Sequence, residues 1–284
     1  MITDTSGITP VPCHSHNDYF RDHPLTDALS YGCISVEGDV WVQDKNAHDL
    51  YIGHEKSDLK DAFTLKNLYL EPLRQRLESM NAGHLPTANP SSQWKGVFRE
   101  KPTQTLTLLI DFKTESSSTW RVFMKTVEPL RQGGWLSSWD DKSQKMQMGA
   151  ITLVVSGNAA LHDVESNKKR DVFLDCPLTE IAPATDDIYS NKFKYGQKNC
   201  FYASADYTSL SAANNPILDT NEAQKLKQQV ADAERRGLRV RYWNTPKDDS
   251  SMWSELWKYG VRTINTDHLA TVRKWFDENK YTAR

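Results

Sequence analysis

The 284-residue sequence has no long apolar run and no excess of charge of either sign. Its apolar stretches stay far below the roughly 20 residues that a membrane-spanning helix needs. Lys and Arg number 35 and Asp and Glu number 37, so no basic excess is present to neutralise nucleic-acid phosphates. We therefore expect neither a membrane span nor a nucleic-acid partner.

Cysteine is also scarce: the chain has four. No two of them form a Cys-x-x-Cys pair. This spacing argues against a structural zinc site. Cys176 and Cys200 lie in strand-like segments and are candidates for a disulfide, while free thiols are an equally open alternative. The first ten residues lack the basic and apolar regions of a signal peptide. A mature secreted chain would look the same, and we favour secretion after signal removal over an intracellular location.

The chain does contain eight β-rich segments, most of them followed by helical or turn-rich sequence. They are Val11–His16, Cys33–Val42, Leu106–Phe112, Ala150–Val155, Asp171–Cys176, Cys200–Ala205, Leu238–Trp243 and Val261–Asn265. Several are nearly continuous apolar runs, which are typical of strands buried on both faces. The length suits one α/β barrel, which typically has about 250 residues. The sequence therefore predicts a (β/α)8 TIM barrel in which residues 1–284 form one domain, expected to be a monomer.

Helical patterns lie between or after these strands. They cover Thr26–Tyr31, Thr64–Met80, Asn221–Arg236, Ser251–Tyr259 and Leu269–Asn279. Two segments depart from simple alternation. The sequence DVWVQDKNAHDLYIGHE predicts a β-hairpin after the second strand. The polar stretch from Asn81 to Thr105 predicts a surface loop that serves as a rim or lid.

Carboxylates stand where the second and third strands end. Glu37 and Asp39 end the second strand, and Asp111 ends the third. Side chains two residues apart on a strand point the same way, and reactive residues of such barrels sit at the carboxyl ends of strands. Three carboxylates at one barrel mouth would repel each other unless a cation neutralised them. Their hard oxygen ligands predict a divalent ion, Mg²⁺ or Ca²⁺.

Histidines stand at the same strand ends. His14 and His16 end the first strand, His54 follows the hairpin, and Lys113 follows Asp111. Histidine acts as a general acid or base near neutral pH, and a lysine can hold an anionic oxygen. Each of these residues alone is common at a solvated surface. Their coincidence at the ends of the first three strands indicates a catalytic site.

At these residues the chain resembles the phospholipase-C-like phosphodiesterase superfamily, and most closely the fungal family named altered inheritance of mitochondria protein 6. The pieces that carry the resemblance are HSHNDY with PLTDAL, SVEGDVW, LYIGH, LLIDFKT, VVSGN, RYWN and GVRTINTDHL. They span residues 14 to 269. The wider superfamily includes glycerophosphodiester phosphodiesterases and sphingomyelinase-D-like lipases.

The resemblance implies two catalytic histidines, a metal site and a basic phosphate contact. The catalytic pair would be His54 with either His16 or His14, and Lys113 would lie near the phosphate. Trp243 matches an aromatic residue at the substrate mouth of the sphingomyelinase-D-like members. The implied ligands of the divalent cation are Glu37, Asp39 and Asp111.

One departure from the resemblance concerns the first strand. Glycerophosphodiesterases carry His-Arg-Gly there, whereas this chain has His16-Asn17-Asp18. We favour His16 over His14 because its spacing to Glu37 fits better. Asn17 would then contact substrate, and the arginine contact to phosphate is either missing or supplied from elsewhere, with Arg21 as the candidate.

Two other functions stay open at this point. An amidohydrolase-type enzyme would bind zinc through His14 and His16, and Asp267 favours it, but the fifth and sixth strands lack the histidines that it needs. A non-catalytic binding protein on a barrel scaffold is the other, since fold alone does not imply function. For the favoured phosphodiesterase the substrate is a small-molecule or lipid phosphodiester, with peripheral membrane contact left open.

Overall fold

A computed structural model describes residues 4–43, 48–82, 94–181, 194–246 and 249–283. Eight parallel strands, each hydrogen-bonded to the next in chain order, curve into a nearly closed barrel. They are β1 (Val11–Ser15), β2 (Cys33–Trp41), β3 (Leu106–Phe112), β4 (Ile151–Gly157), β5 (Val172–Pro177), β6 (Cys200–Asp206), β7 (Arg239–Trp243) and β8 (Ile264–Thr266). A bridge between Arg241 and Thr263 links β7 to β8. The predicted barrel is confirmed.

Helices connect most of the strands. They are α1 (Thr26–Ser30), α2 (Glu71–Met80), α3 (Ser116–Thr126), α4 (Glu128–Gln132), α5 (Leu161–Ser166), α6 (Thr220–Arg235), α7 (Ser250–Lys258) and α8 (Leu269–Glu278). A π-helix, Lys66–Leu70, runs directly into α2, and Pro72 lies in the first turn of α2. None of the helices in the described ranges combines the length and apolarity needed to cross a membrane. That residues 1–284 form a single domain stays a prediction.

Alternation along the strands separates an apolar floor inside the barrel from the polar residues above it. Leu109, Val154, Phe173 and Tyr202 belong to one buried cluster. The residues two positions later on the same strands, where side chains point the same way, are polar. They are Asp111, Ser156, Asp175 and Ser204. The barrel interior is therefore filled by an apolar layer of side chains, and the next layer toward the carboxyl ends of the strands is polar. This arrangement places a polar site at the carboxyl ends of the strands.

The predicted hairpin is confirmed. The strand Tyr51–Ile52 pairs antiparallel with the end of β2, with Val40 opposite Ile52. Its turn, residues 44–47, lies outside the described residues. The return strand carries the chain back to the mouth of the barrel, where His54 follows it.

The lid prediction for Asn81–Thr105 is wrong for the part that the structure describes. Residues 94–105 lead directly into the start of β3, so they lie at the amino ends of the strands, opposite the mouth. Val97 and Phe98 are fully buried there, and the Val97 carbonyl accepts hydrogen bonds from Thr5 and Arg76. Residues 83–93 lie outside the described residues. The polar composition of this segment did not indicate that part of it packs at the amino ends of the barrel strands.

Two disulfides cross-link neighbouring strands. Cys13–Cys33 joins β1 to β2, and Cys176–Cys200 joins β5 to β6. The candidate bridge between Cys176 and Cys200 is confirmed, whereas the other pair was not anticipated. All four cysteines are paired in these bridges, so the alternative of free thiols is wrong.

Removing either disulfide should destabilise the barrel. The bridges close loops of 20 and 24 residues in sequence, and cross-links of this kind typically stabilise by about 2–4 kcal/mol by restricting the unfolded chain. We expect Cys13→Ser/Cys33→Ser and Cys176→Ser/Cys200→Ser each to lower the free energy of unfolding by about that amount. Urea denaturation measures it. Four alkylated thiols in the unreduced, denatured wild type would contradict both bridges.

Candidate active site

A cavity of about 690 Å³ opens at the carboxyl ends of the strands. Its size falls within the range of small-molecule binding sites. Most of the predicted site residues line it, namely His16, Asn17, Glu37, Asp39, His54, Asp111, Lys113 and Trp243. His14 and Arg21 are not among the lining residues. The barrel therefore brings together residues from three strands, β2, β3 and β7, and from three loops that follow strands, as the strand-end pattern predicted.

His16 is held by a carboxylate from the last strand. Its Nδ1 lies 2.8 Å from Oδ1 of Asp267, which directly follows β8. Its Nε2 lies 4.0 Å from Oε2 of Glu37. Burial alone would lower the pKa of His16, but the Asp267 hydrogen bond and the Glu37 charge outweigh burial and raise it. Because Nδ1 is engaged by Asp267, Nε2 is the ring nitrogen presented to the cavity.

His54 is held in a similar way from the other side. Its Nδ1 lies 3.3 Å from Oδ2 of Asp39 and 3.3 Å from the Tyr19 hydroxyl. That hydroxyl donates to the same Asp39 oxygen at 2.8 Å and also lies 3.0 Å from Oδ1 of Asn17. Asn17 has a left-handed backbone, with a φ of 45°, at the turn after β1. Tyr19 was not predicted, although it completes the HNDY motif.

The carboxylates are held by different partners. Glu37 Oε2 lies 2.9 Å from His14 Nε2. Burial raises the pKa of Glu37, but His14 and Arg241 outweigh burial and lower it. Burial and the charge of Glu37 raise the pKa of Asp39, against the opposing effect of Lys113. Lys113 Nζ bridges Asp39 at 2.9 Å and Asp111 at 2.7 Å. The ammonium is thus the cation that now separates these two carboxylates.

The donor chemistry at this place fits a divalent cation. Asp39 Oδ1 is buried and has no hydrogen-bond partner, and Glu37 and Asp111 line the same cavity. No group of three or more His, Cys, Asp or Glu side chains within the described ranges is already gathered closely enough to hold an ion. Binding a shared ion therefore requires Lys113 to leave its position between Asp39 and Asp111.

His14 does not fit the catalytic role that was considered for it. The residue is fully buried, with Nδ1 2.7 Å from the Ser35 hydroxyl and Nε2 2.9 Å from Glu37. Burial is the largest of the effects that lower its pKa to about 4. Both ring nitrogens are engaged, so the zinc site of His14 with His16 finds no support in this geometry. His14 instead positions Glu37.

Arg21 does not reach the cavity, contrary to the role suggested for it. Its guanidinium donates to the backbone carbonyls of Asp267, His16 and Thr266, and it approaches the Ser15 hydroxyl. These contacts tie the turn after β1 to the end of β8. Arg21 therefore supports the His16–Asp267 pair and leaves phosphate to other groups.

Arg241 is the arginine that does line the cavity, and sequence reasoning missed it. It is 4% exposed and donates to Asp175 Oδ2 at 2.9 Å, Asn265 Oδ1 at 2.8 Å and Ser204 Oγ at 3.1 Å. A signal was present, because Arg241 stands two residues before Trp243 in the RYWN motif and must share its direction. Trp243 itself is 40% exposed at the mouth.

Barrel, paired histidines and clustered carboxylates together define a phosphodiesterase-type (β/α)8 barrel. Residues 3–175 match the model of the AIM6-like phosphodiesterase domain, and residues 239–270 match that of the glycerophosphoryl diester phosphodiesterase family. The first match covers more than half of the chain. The chain belongs to the AIM6-like phosphodiesterase domain family.

Relatives that match nearly the whole chain support this assignment. The altered inheritance of mitochondria protein 6 homolog of Arthroderma benhamiae is 33% identical over 282 residues, which cover 96% of this chain and 86% of the relative. The altered inheritance of mitochondria protein 6 of Eremothecium gossypii is 31% identical, covering 97% and 71%. A glycerophosphodiester phosphodiesterase structure from Parabacteroides distasonis aligns with a TM-score of 0.52 at 13% identity, covering 96% of this chain and all of that one. At that identity the likeness concerns the fold alone.

The His16–Asp267 pair makes a testable prediction about titration. A negative charge beside an imidazole stabilises its protonated form, so the His16 pKa should lie above the ordinary value of about 6.5 in the metal-free protein. Asp267→Asn removes that charge and should lower it. NMR titration of the histidine ring protons measures both values. Asp141→Asn, which alters an exposed carboxylate in the turn between the short antiparallel strands Ser138–Asp140 and Lys145–Gln147, serves as the control. A His16 pKa that Asp267→Asn leaves unchanged would contradict the pairing.

Proposed function

We propose that this protein is a divalent-cation-dependent phosphodiesterase in which His16 and His54 carry out acid–base catalysis. One observation carries the proposal. Two histidines, each with Nδ1 held by an aspartate, face one cavity that is also lined by four carboxylates and Lys113. Such a pair can remove one proton and deliver another across a single phosphodiester.

His16 suits the base. Its Nε2 would accept the proton of the attacking oxygen, and Asp267 would stabilise the imidazolium that forms. Against the opposing effect of burial, the Asp267 hydrogen bond raises the pKa of His16, which makes Nε2 a stronger proton acceptor. The attacking oxygen belongs either to water or to a hydroxyl of the substrate, and the first product is accordingly a phosphomonoester or a cyclic phosphate.

His54 suits the acid. It is half exposed at the mouth, and Asp39 and Tyr19 hold its Nδ1 side. Its Nε2 would therefore donate a proton to the leaving oxygen. The hydroxyl of Tyr19 acts on this ring and on Asp39 together, so it positions the acid without contacting the reacting atoms.

Glu37, Asp39 and Asp111 would hold the cation, which when bound stabilises negative charge on the phosphoryl oxygens. Binding would replace the ammonium of Lys113 as the counter-charge of Asp39 and Asp111. Lys113 would then be available to contact a phosphate oxygen. The same basic residue would thus neutralise the carboxylates of the empty site and the phosphate of the filled one.

The setting of the activity follows from the disulfides. Bridges of this kind form and persist in oxidising compartments, which favours the secretory pathway or the extracellular space. A soluble phosphodiester and a lipid phosphodiester both remain compatible with the cavity.

Replacing either histidine should strongly impair turnover. We expect His16→Ala and His54→Ala each to lower kcat/KM by about 10²–10⁴-fold on bis(p-nitrophenyl) phosphate with Mg²⁺ or Ca²⁺, because each removes one proton-transfer group. His162→Ala, at an exposed histidine of α5 outside the cavity lining, is the matched control. Wild-type rates in both variants would refute the proposal. Tight binding of a diester without turnover by the wild type would favour a binding protein.

Cation dependence has a readout that is separate from activity. We expect the chelated protein to lose turnover and to regain it with Mg²⁺ or Ca²⁺. Calorimetry should show Asp39→Asn binding the cation at least about tenfold more weakly, because one oxygen ligand becomes a neutral amide. Asp141→Asn should bind it as the wild type does. Equal affinity for the cation in Asp39→Asn would exclude the assigned ligand set.

A further inference from the structure

Two buried carboxylate oxygens on the cavity wall have no hydrogen-bond partner, and the proposed reaction accounts for only one of them. They are Asp39 Oδ1 and Asp175 Oδ1. Asp39 belongs to the proposed cation site on β2 and β3. Asp175 lies on β5, which is separated from β3 by β4 and stands across the barrel from β1. The Ser204 hydroxyl lies close enough to the Asp175 carboxylate to oppose the rise that burial causes in its pKa, but it makes no hydrogen bond to Oδ1. A buried acceptor without a partner is costly, so this second oxygen can take a donor from a ligand.

The other oxygen of Asp175 is already committed. Oδ2 accepts from Arg241 Nη2 at 2.9 Å, and both side chains are about 5% exposed. Arg241 is in turn fixed by Ser204 and Asn265. The carboxylate therefore cannot turn to satisfy Oδ1 without giving up a buried ion pair. Its orientation is set before any ligand arrives.

The surroundings of Asp175 define what such a ligand would look like. Leu174, Pro177 and Tyr195 line the same cavity, and the partly exposed Trp243 lines its mouth. This wall suits a short carbon chain. The Oδ1 atom accepts hydrogen bonds, so the chain must end in a hydroxyl or a protonated amine.

We propose that Asp175 recognises a hydrogen-bond donor, a hydroxyl or an ammonium, on one substituent of the phosphodiester. This inference rests on the proposed function for the identity of the phosphorus-containing part. It adds the specificity-determining residue and the class of substituent. A purely alkyl substituent would leave Oδ1 without a partner and would bind more weakly.

Matched phosphonate monoesters test the inference by binding, and the NMR spectra also show that each ester stays intact during the titration. The probes are 2-hydroxyethyl, 2-aminoethyl and propyl methylphosphonate, which differ only in the terminal group of one substituent. NMR titration with Mg²⁺ present gives each Kd. We expect the hydroxyethyl or the aminoethyl ester to bind the wild type at least about tenfold more tightly than the propyl ester, as for a hydrogen bond to a buried charge. Equal affinities for all three would overturn the inference.

Asp175→Asn assigns the preference to this residue. Arg241 donates, so the amide oxygen should face it and the amide NH₂ should take the place of Oδ1. An ammonium cannot accept from that NH₂ whereas a hydroxyl can. Any advantage of the aminoethyl ester should therefore vanish, while an advantage of the hydroxyethyl ester should fall only in part. Asp206→Asn, at the end of β6 and outside the cavity lining, should leave the preference unchanged. Asp175→Asn with undiminished preference would overturn the inference.

A folding defect would not leave the question undecided. If Asp175→Asn does not fold, Asp175→Glu keeps the charge opposite Arg241 but displaces the accepting oxygen by one methylene. It should reduce the preference for a donor, and an unchanged preference would contradict the assignment. Donor preference without turnover of any diester would refute the proposed function alone, whereas turnover with equal affinities would refute only this inference.

Discussion

Charge compensation among buried acids is the constraint on which the site depends. Glu37, Asp39, Asp111 and Asp175 all line one barrel mouth. Burying a carboxylate is costly unless it is paired or hydrogen-bonded. The chain meets this cost partly at one strand end, where Lys113 pairs with Asp111, and partly across the barrel. His14 of β1 hydrogen-bonds Glu37, Lys113 also reaches Asp39 of β2, and Arg241 of β7 pairs with Glu37 and Asp175. Because most of these partners lie on different strands, the site is complete only when the barrel is assembled.

How far the site could be predicted from sequence follows from which contacts are local. Glu37 with Asp39, and Asp111 with Lys113, are two residues apart, so strand alternation alone places each pair on one side. The strands themselves were predicted within a few residues because their apolar runs leave little choice. The hairpin was recognisable for the same reason. Strand positions, the hairpin and pairs of residues two apart are all properties of short segments, and sequence periodicity detects such properties.

The missed residues act across the barrel. Asp267 is separated from His16 by 251 residues in sequence, and Arg241 from Asp175 by 66. Nothing in either segment alone distinguishes Asp267 from the N-cap of a helix. His14 and His16 show a second limit of the sequence pattern. Alternation puts both side chains on one side of the strand, but the depth of each residue in the barrel decides which one reaches the cavity. The packed segment before β3 was misjudged because its composition is polar while its few apolar residues are buried.

The disulfides have a consequence for how the protein meets its surroundings. Each bridge contains a cysteine next to a site residue, since Cys13 precedes His14 and Cys176 follows Asp175. All four sulfurs are buried in the layer between strands and helices. A dissolved reductant can therefore attack either disulfide only after the barrel has opened. Thiol release would then report that the molecule has already lost its fold, and the resistance of the site to reduction would be set by the rate of that opening.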